Sequence, residues 1–160
     1  MDEKIIYVAG NLYPLDRDSG AESNVDSLAH LPLAEITVPA EKLPRLIESL
    51  GRVASDSYKI EIETLNLDSP DNESTYSLAQ DVSGNLEHMA KDIMDAAWLN
   101  ELEDSTRSLR GIDGYTVEQA SANQARHQQR LIVSRLSAYQ LTDGELDAIS
   151  TFDLKQPRRQ

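Results

Sequence analysis

Three segments near the start of the chain have the hydrophobic pattern of a β-strand, and a helical pattern separates the second from the third. KIIYVA at 4–9 is apolar at successive positions, as in a strand that is buried on both faces. LAEITV at 33–38 and YKIEIETLNL at 58–67 alternate with the period of a strand. Between them, AEKLPRLIESLG carries leucines at helical spacing and predicts a helix over 41–50 that Gly51 caps.

Apolar positions in the second half of the chain recur at helical spacing. The pattern predicts a short helix at 75–82 and a long helix at 85–104. The stripe of the long helix that is expected to be buried consists of Leu86, Met89, Ala90, Ile93, Ala97 and Trp98. This half of the chain is therefore expected to be helical.

Two capping-box patterns continue the helical prediction toward the C-terminus. Thr116-x-x-Gln119 is expected to open a helix that reaches residue 139, and Thr142-x-x-Glu145 to open a last short helix. The predicted fold class is thus α+β: a small sheet of about three strands with one helix at the N-terminus, followed by a helical C-terminal unit.

The predicted domain organisation follows from the change of period and from the polar segment DSPDNEST that accompanies it. Residues 1–70 are expected to form the small α+β unit, residues 74–152 the helical unit, and residues 153–160 a frayed tail.

Net charge and composition restrict the functions that are open to the chain. It has 28 acidic and 15 basic residues, a net charge of −13, and residues 52–104 carry most of the excess acid. So much negative charge repels polyanions and argues against direct binding of nucleic acid. The chain lacks cysteine, a signal-peptide pattern and any apolar stretch of membrane-spanning length, so a cytoplasmic location in the host cell is expected.

The candidate metal sites have weak patterns. The acids of DRDSGAESNVD alternate as in a calcium loop, but counting from Asp16 the glycine falls one position early and Ser27 stands where a bidentate Glu is required. On the long predicted helix His88, Asp92 and Asp95 share a face, an arrangement more typical of a solvated surface. We therefore predict neither a metal nor a cofactor.

Catalytic signatures are absent from the sequence. The three imidazoles, His30, His88 and His127, lie outside any recognisable nucleophile motif, and no glycine-rich phosphate loop is present. The prediction is that the protein is not an enzyme, with no catalytic residues.

The main remaining chemical feature is the regular spacing of acidic side chains on the exposed faces of the predicted strands and helices. Glu61 and Glu63 lie two positions apart on a predicted strand, which is roughly 6.6 Å on one face, and acids one helical turn apart have a similar spacing. DNA presents phosphates as a dense regular row, so rows of carboxylates can stand in for it. The predicted partner-binding residues are Asp16, Asp18, Glu22, Glu61, Glu63, Asp68, Asp71, Glu73, Glu87, Asp92, Asp95, Glu101, Glu103 and Asp104.

Four segments of the chain resemble those of a known family. IYVAGNLYPLD, ITVPAEKLPRLIESLG, YKIEIETLNL and LAQDVSGNLEHMAKDI occur in the order found in the ArdA antirestriction proteins of plasmids and phages. The resemblance implies mimicry of B-form DNA, occupation of the DNA-binding channel of Type I restriction-modification enzymes, and often a homodimer. An anti-CRISPR protein that blocks another DNA-binding defence complex fits the same residues.

Three functional hypotheses follow in order of preference. The first is an acidic DNA-mimic inhibitor whose partner is a host defence enzyme that binds DNA or RNA. The second is an acidic adaptor or scaffold that acts through its helical C-terminal unit, with Arg126 and Arg130 one turn apart for an acidic partner or a second copy of the chain. The third is a small enzyme or metal protein.

Overall fold

The computed structural model describes residues 3–14, 29–68, 75–81, 83–110, 114–119 and 130–155. The two helices in this part of the chain are α1 (Leu43–Ser55) and α2 (Asn85–Leu99). The strands in chain order are β1 (Glu3–Pro14), β2 (Ala29–Pro39), β3 (Ile60–Asp68), β4 (Thr75–Gln80), β5 (Thr106–Ser108), β6 (Thr116–Gln119), β7 (Arg130–Thr142) and β8 (Glu145–Asp153).

The strands form one antiparallel sheet whose pairings return to their starting point. The pairings run from β1 to β2, β6, β4, β3 and β7, and β7 pairs again with β1. Strand β5 also pairs with β2, and β8 pairs with β7. Because the two long strands β1 and β7 are hydrogen-bonded over most of their length, they hold the N-terminal and C-terminal parts of the sheet together.

Both helices pack on one face of the sheet and bury its core. Ile6 and Val8 of β1 and Ile36 of β2 are fully buried in the same cluster as Leu46 of α1 and Ile93 of α2. Tyr7 lies between Ile6 and Val8 and is only partly buried, so it lies on the opposite face, as strand alternation requires. One face of β1 therefore stabilises the fold and the other is available for binding.

A β-bulge in β2 changes which residues face the core. Val8 pairs with Ala34 and Ala9 pairs with Pro32, so Leu33 is the extra residue of β2. Beyond this point the even-numbered residues Ala34, Ile36 and Val38 are buried in the core, whereas before it the odd-numbered residues Leu31 and Leu33 are. The bulge therefore leaves the even-numbered residues before it, His30 and Pro32, on the opposite face of the sheet.

The predicted helical C-terminal unit is wrong, and with it the predicted fold class. The segment predicted as a helix at 75–82 is strand β4, and the helix expected from Thr116 to residue 139 is replaced by β6 and β7. The last predicted helix is strand β8. Of the helices predicted for this C-terminal unit, only the long one is observed in the described residues, as α2, and it ends at Leu99. The sheet is also much larger than the three strands expected.

The cause of this error is burial of β7 on both faces. Leu131, Ile132 and Val133 are consecutive and all buried, so the strand shows no alternation and its apolar positions also fit a helix. The signal that identifies the hairpin is Asp143-Gly144, where φ is 53° and 82°. Two successive positive φ angles make the tight turn that joins antiparallel strands, and glycine adopts the second without strain.

The first half of the chain is closer to the prediction. Strands occur at all three predicted segments, and α1 begins at Leu43 with Pro44 in its first turn. The helix does not end at Gly51 but continues to Ser55, and Gly51 lies against Phe152 of β8. The division into units near residue 70 stays a prediction, although β1 pairs with β7 across it. None of the helices in the described ranges has the length and apolar character needed to cross a membrane.

Candidate functional site

A cleft of about 570 Å³ opens on the face of the sheet opposite the helices. A volume of this size is typical of sites for small molecules. The residues that line it are Tyr7, Ala9, His30, Pro32, Leu109, Thr116, Tyr139, Leu141, Gly144 and Leu146. They come from β1, β2, β6, β7, the segment after β5 and the β7–β8 hairpin, so the cleft exists only when the sheet is assembled.

The strand register explains why these side chains meet. Tyr7 and Tyr139 are paired residues of β1 and β7, and Ala9 is paired with Pro32 of β2. His30 is two residues before Pro32 and so lies on the same face. The bulge at Leu33 is what brings this part of β2 onto the cleft side.

The cleft wall is neutral in a strongly acidic protein. Among the described residues that line it there is no Asp, Glu, Lys or Arg. The polar groups are the imidazole of His30 and the hydroxyls of Thr116, Tyr7 and Tyr139. The rings of His30 and Tyr139 meet edge to face with their centroids 5.5 Å apart. Such a wall presents hydrogen-bond donors and one imidazole to a ligand and does not repel an anion.

A buried polar network lies behind Tyr139. Asn11 Nδ2 donates to the Tyr139 hydroxyl at 2.9 Å, and the Ser137 hydroxyl donates to Asn11 Oδ1 at 2.5 Å. The Thr151 hydroxyl lies 3.1 Å from that of Ser137. Asn11 and Ser137 are 5% and 2% exposed, so their polar groups depend on these bonds rather than on water.

Arg135 lies two positions from Ser137 on β7 and is engaged by neighbouring side chains. Its Nε donates to Asp153 at 2.9 Å, and its guanidinium lies 5.8 Å from the centre of the Tyr13 ring. Burial raises the pKa of Tyr13, and the nearby charge of Arg135 partly opposes that rise. This guanidinium is therefore positioned by Asp153 and Tyr13.

Tyr115 precedes Thr116, belongs to the buried core and holds the start of β6 beside β4. The residue is 4% exposed, and its carbonyl accepts a hydrogen bond of 2.9 Å from the amide of Ala79. Burial raises the pKa of the Tyr115 phenol, and the negative charge of Glu87 raises it further, against opposing contributions from Ser108 and Arg110.

The raised pKa makes a testable prediction about alkaline stability. Because the folded-state pKa exceeds the unfolded value of 10.0, Tyr115 stabilises the fold fully below pH 10 and less as the pH rises through its folded pKa. Tyr115→Phe should therefore lose less stability than the wild type between pH 9 and 11, by at most about 1.4 kcal/mol per pH unit. Urea unfolding at several pH values measures this difference, and parallel curves for the two proteins would contradict it.

The predicted partner-binding acids are distributed over separate elements. Five of them lie outside the described residues: Asp16, Asp18, Glu22, Asp71 and Glu73. Two exposed members, Glu61 and Glu63, lie on β3, and Asp68 ends that strand. The remaining six lie on α2 or just after it: Glu87, Asp92, Asp95, Glu101, Glu103 and Asp104.

Several of these carboxylates have basic neighbours. Arg110 Nε donates to Glu87 at 3.0 Å, and His88 Nε2 lies 3.6 Å from Asp92. Lys42 Nζ lies 3.7 Å from Glu101. None of the predicted acids that the structure describes lines the cleft, and within the same ranges there is no metal-binding group of three His, Asp or Glu.

Sequence reasoning missed the residues that meet in the cleft. From the sequence His30 is only an imidazole without a motif, Thr116 is expected to cap a helix, and Tyr7 and Tyr139 carry no functional signal. His88 lies on α2, away from the cleft residues, and His127 lies outside the described residues. A usable signal would have been the polar or aromatic side chains on strands otherwise rich in apolar residues, since such positions often face a ligand.

Comparison with known proteins identifies the fold. No family model and no curated protein matches the sequence. Among solved structures, Escherichia coli LigT in its apo form matches with a TM-score of 0.61 and 14% identity, over 98% of this chain and 100% of that one. A structure described as a phosphoesterase matches with a TM-score of 0.61 and 15% identity, over 97% and 100% of the two chains. LigT has also been crystallised with 3′-AMP and with NADP+, with TM-scores of 0.59 and 0.58 to this chain.

These matches overturn the resemblance to the ArdA proteins. The structural neighbours are LigT-like phosphoesterases, so the predictions of a DNA-mimic inhibitor, of a protein that is not an enzyme and of a host defence complex as partner are wrong. The adaptor hypothesis fails as well, because the C-terminal part on which it depends is strands. Of its two arginines, Arg126 lies outside the described residues and Arg130 begins β7, paired with Glu63. The order of the segments does not distinguish this fold from that expected for the ArdA proteins, because both begin with two strands followed by a helix.

Proposed function

We propose that the protein is a phosphoesterase that hydrolyses a phosphodiester of a nucleotide bound in the cleft. The observation that carries this proposal is the placement of His30 in a neutral, ligand-sized cleft of a LigT-like fold that spans almost the whole chain. The crystal complexes of LigT with 3′-AMP and NADP+ support a nucleotide as the ligand class. The cytoplasm is the compartment that we propose, and the absence of cysteine supports it.

The chemistry of phosphodiester hydrolysis fits the groups in the cleft. The oxygen of water forms a bond to phosphorus, the bond from phosphorus to the ribose oxygen breaks, and the proton that water loses is balanced by the proton that the ribose oxygen gains. An imidazole takes up and releases protons near neutral pH, so His30 is the acid–base group. The hydroxyls of Thr116, Tyr7 and Tyr139 are donors for the phosphoryl oxygens.

The apolar part of the wall suits the rest of a nucleotide. Leu109, Leu141, Leu146 and Pro32 surround the polar groups. A wall that is mainly apolar with a few convergent polar groups is typical of small-molecule sites. The base and ribose would occupy this part, while the phosphate lies against His30. Because no carboxylate lines the described cleft, the negative charge of the phosphate meets no like charge there.

The test is an assay of the purified protein against a panel of phosphodiesters. Dinucleotides, cyclic mononucleotides and NADP+ are incubated with the protein, and release of phosphomonoester or nucleoside products is followed by chromatography. We expect at least one member to be hydrolysed and 3′-AMP to inhibit competitively. Absence of hydrolysis across the panel, together with no binding of 3′-AMP by calorimetry, would contradict the proposal.

A further inference from the structure

The network behind Tyr139 determines the direction in which the hydrogen of the Tyr139 hydroxyl points. The participants stand side by side on adjacent strands: Asn11 on β1, Ser137 and Tyr139 on β7, and Thr151 on β8, paired with Ser137. Tyr139 is the member that lines the cleft. Asn11, Ser137 and Thr151 do not line the cleft, so they act on a ligand through Tyr139.

The donors and acceptors of the network can be followed from one end to the other. Ser137 has a single hydroxyl hydrogen, which it donates to Asn11 Oδ1, so Thr151 is the donor in the contact between the two hydroxyls. The amide nitrogen of Asn11 carries only hydrogens, so it donates to the Tyr139 oxygen. That oxygen is an acceptor in this bond and keeps its own hydrogen.

The hydrogen of the Tyr139 hydroxyl has no acceptor among the described protein groups. Since the oxygen is held from behind by Asn11, the hydrogen is presented on the cleft side. We propose that Tyr139 is the oriented donor that binds a phosphoryl oxygen of the substrate, and that Asn11 is the positioning residue that fixes its direction. This inference rests on the proposed function of the cleft, since it names the group that recognises the phosphate.

Several features of the cleft make phosphate the acceptor that fits. The described wall offers no arginine or lysine to bind a phosphoryl oxygen, so neutral donors and the imidazole must do so. A hydrogen bond to an ionised oxygen is about twice as strong as one between neutral groups. A donor already oriented by the fold needs no reorganisation when the ligand binds. The edge contact of 5.5 Å between the rings of Tyr139 and His30 places both groups within reach of one phosphate.

Asn11→Asp is the decisive substitution because it changes the direction of the network with little change of shape. At a pH where the new carboxyl group is ionised, both of its oxygens accept, so Ser137 continues to donate to one and the other takes the hydrogen of Tyr139 away from the cleft. We expect the affinity for 3′-AMP to fall about tenfold or more, as in Tyr139→Phe. The double variant should bind no more weakly than the weaker single variant, because both remove the same bond. Direct repulsion of the phosphate by the carboxylate would remain in the Tyr139→Phe background, so the double variant distinguishes it from the change of direction.

Two further variants and one further ligand complete the measurement. Ser137→Ala removes the hydroxyl that donates to Asn11 Oδ1, so the Asn11 amide is held less firmly, and the affinity for 3′-AMP should lie between those of the wild type and Tyr139→Phe. Thr151→Val is the matched control, since it removes only the outer hydroxyl and should change the affinity less than about twofold. Adenosine, which lacks the phosphate, should bind equally to all variants. Thermal unfolding of each variant shows whether the fold is retained.

The outcomes separate the inference from the proposed function. If Tyr139→Phe weakens binding of 3′-AMP but Asn11→Asp does not, Asn11 does not set the direction of the hydroxyl and that part is wrong. If the wild type binds 3′-AMP and neither substitution weakens it, the inference fails while the proposed function stands. If adenosine binding falls as much as 3′-AMP binding, Tyr139 does not recognise phosphate. A wild type that neither binds 3′-AMP nor hydrolyses any phosphodiester overturns both.

Discussion

Replacement of His30 by Asn should lower kcat for phosphodiester hydrolysis by about 10²-fold or more. The expected loss is large because His30 is the one imidazole among the described cleft residues, and Asn neither takes up nor releases a proton near neutral pH. Asn keeps similar size and polarity, so KM for the substrate should change much less than kcat. Steady-state rates of the wild type and the variant on the substrate found in the panel measure the effect.

His88→Asn is the matched control for this substitution. His88 lies on α2, has an exposed side chain beside Asp92 and does not line the cleft, so its replacement should leave kcat unchanged. Equal losses of activity in the two variants would show that the effect is not local to the cleft. Full activity in His30→Asn would remove the acid–base role from His30 and with it the mechanism proposed above.

Substitution of Gly10 by Ala should destabilise the fold by about 1–3 kcal/mol. A Cβ atom at this position would lie 2.8 Å from Cγ1 of Val133 on β7, closer than two carbon atoms can approach. Val133 is fully buried and its β-branched side chain has few other rotamers, so it cannot easily move aside. Glycine at residue 10 thus permits the close approach of β1 and β7 that places Tyr7 beside Tyr139.

The double variant Gly10→Ala, Val133→Ala tests the cause of this loss. Val133→Ala alone should cost stability because it leaves a cavity in the core. In the double variant the new methyl group occupies part of that space, so its destabilisation should be smaller than the sum of the two single effects. Urea unfolding followed by circular dichroism supplies the three values. Strict additivity would show that the clash with Val133 is not the reason why glycine is required.

Hydrophobic periodicity predicts the secondary structure correctly wherever one face of a strand or helix is buried and the other is exposed. The segment YKIEIETLNL alternates because Ile60 and Ile62 are buried while Glu61 and Glu63 are exposed, and β3 forms there. The leucines of α1 and most of the predicted stripe of α2 are identified for the same reason, but Trp98, which was expected to be buried, is 65% exposed. For such elements the side-chain period of the chain and that of the structure coincide.

The same reasoning failed where burial depends on neighbours far along the chain. The first part of β7, residues 131–134, is buried on both faces, so its apolar residues carry no alternation that excludes a helix. The Thr142-x-x-Glu145 pattern was interpreted as a helix cap, whereas Asp143-Gly144 within it makes the hairpin turn. These four residues contain both a helix-capping pattern and a hairpin-turn pattern, and the pairing of β7 with β8 stabilises the hairpin turn.

Periodicity and composition are enough to predict the first three strands, both α-helices, the lack of cysteine and the excess of acid, since they are properties of short segments or of the whole chain. The position of the candidate site depends instead on the assembled sheet. Residues 7, 30 and 139 are far apart in the chain and meet because β1 pairs with β2 on one side and with β7 on the other. The bulge at Leu33 then turns His30 to the same face as Tyr7 and Tyr139, and strand register of this kind is set by packing across the sheet.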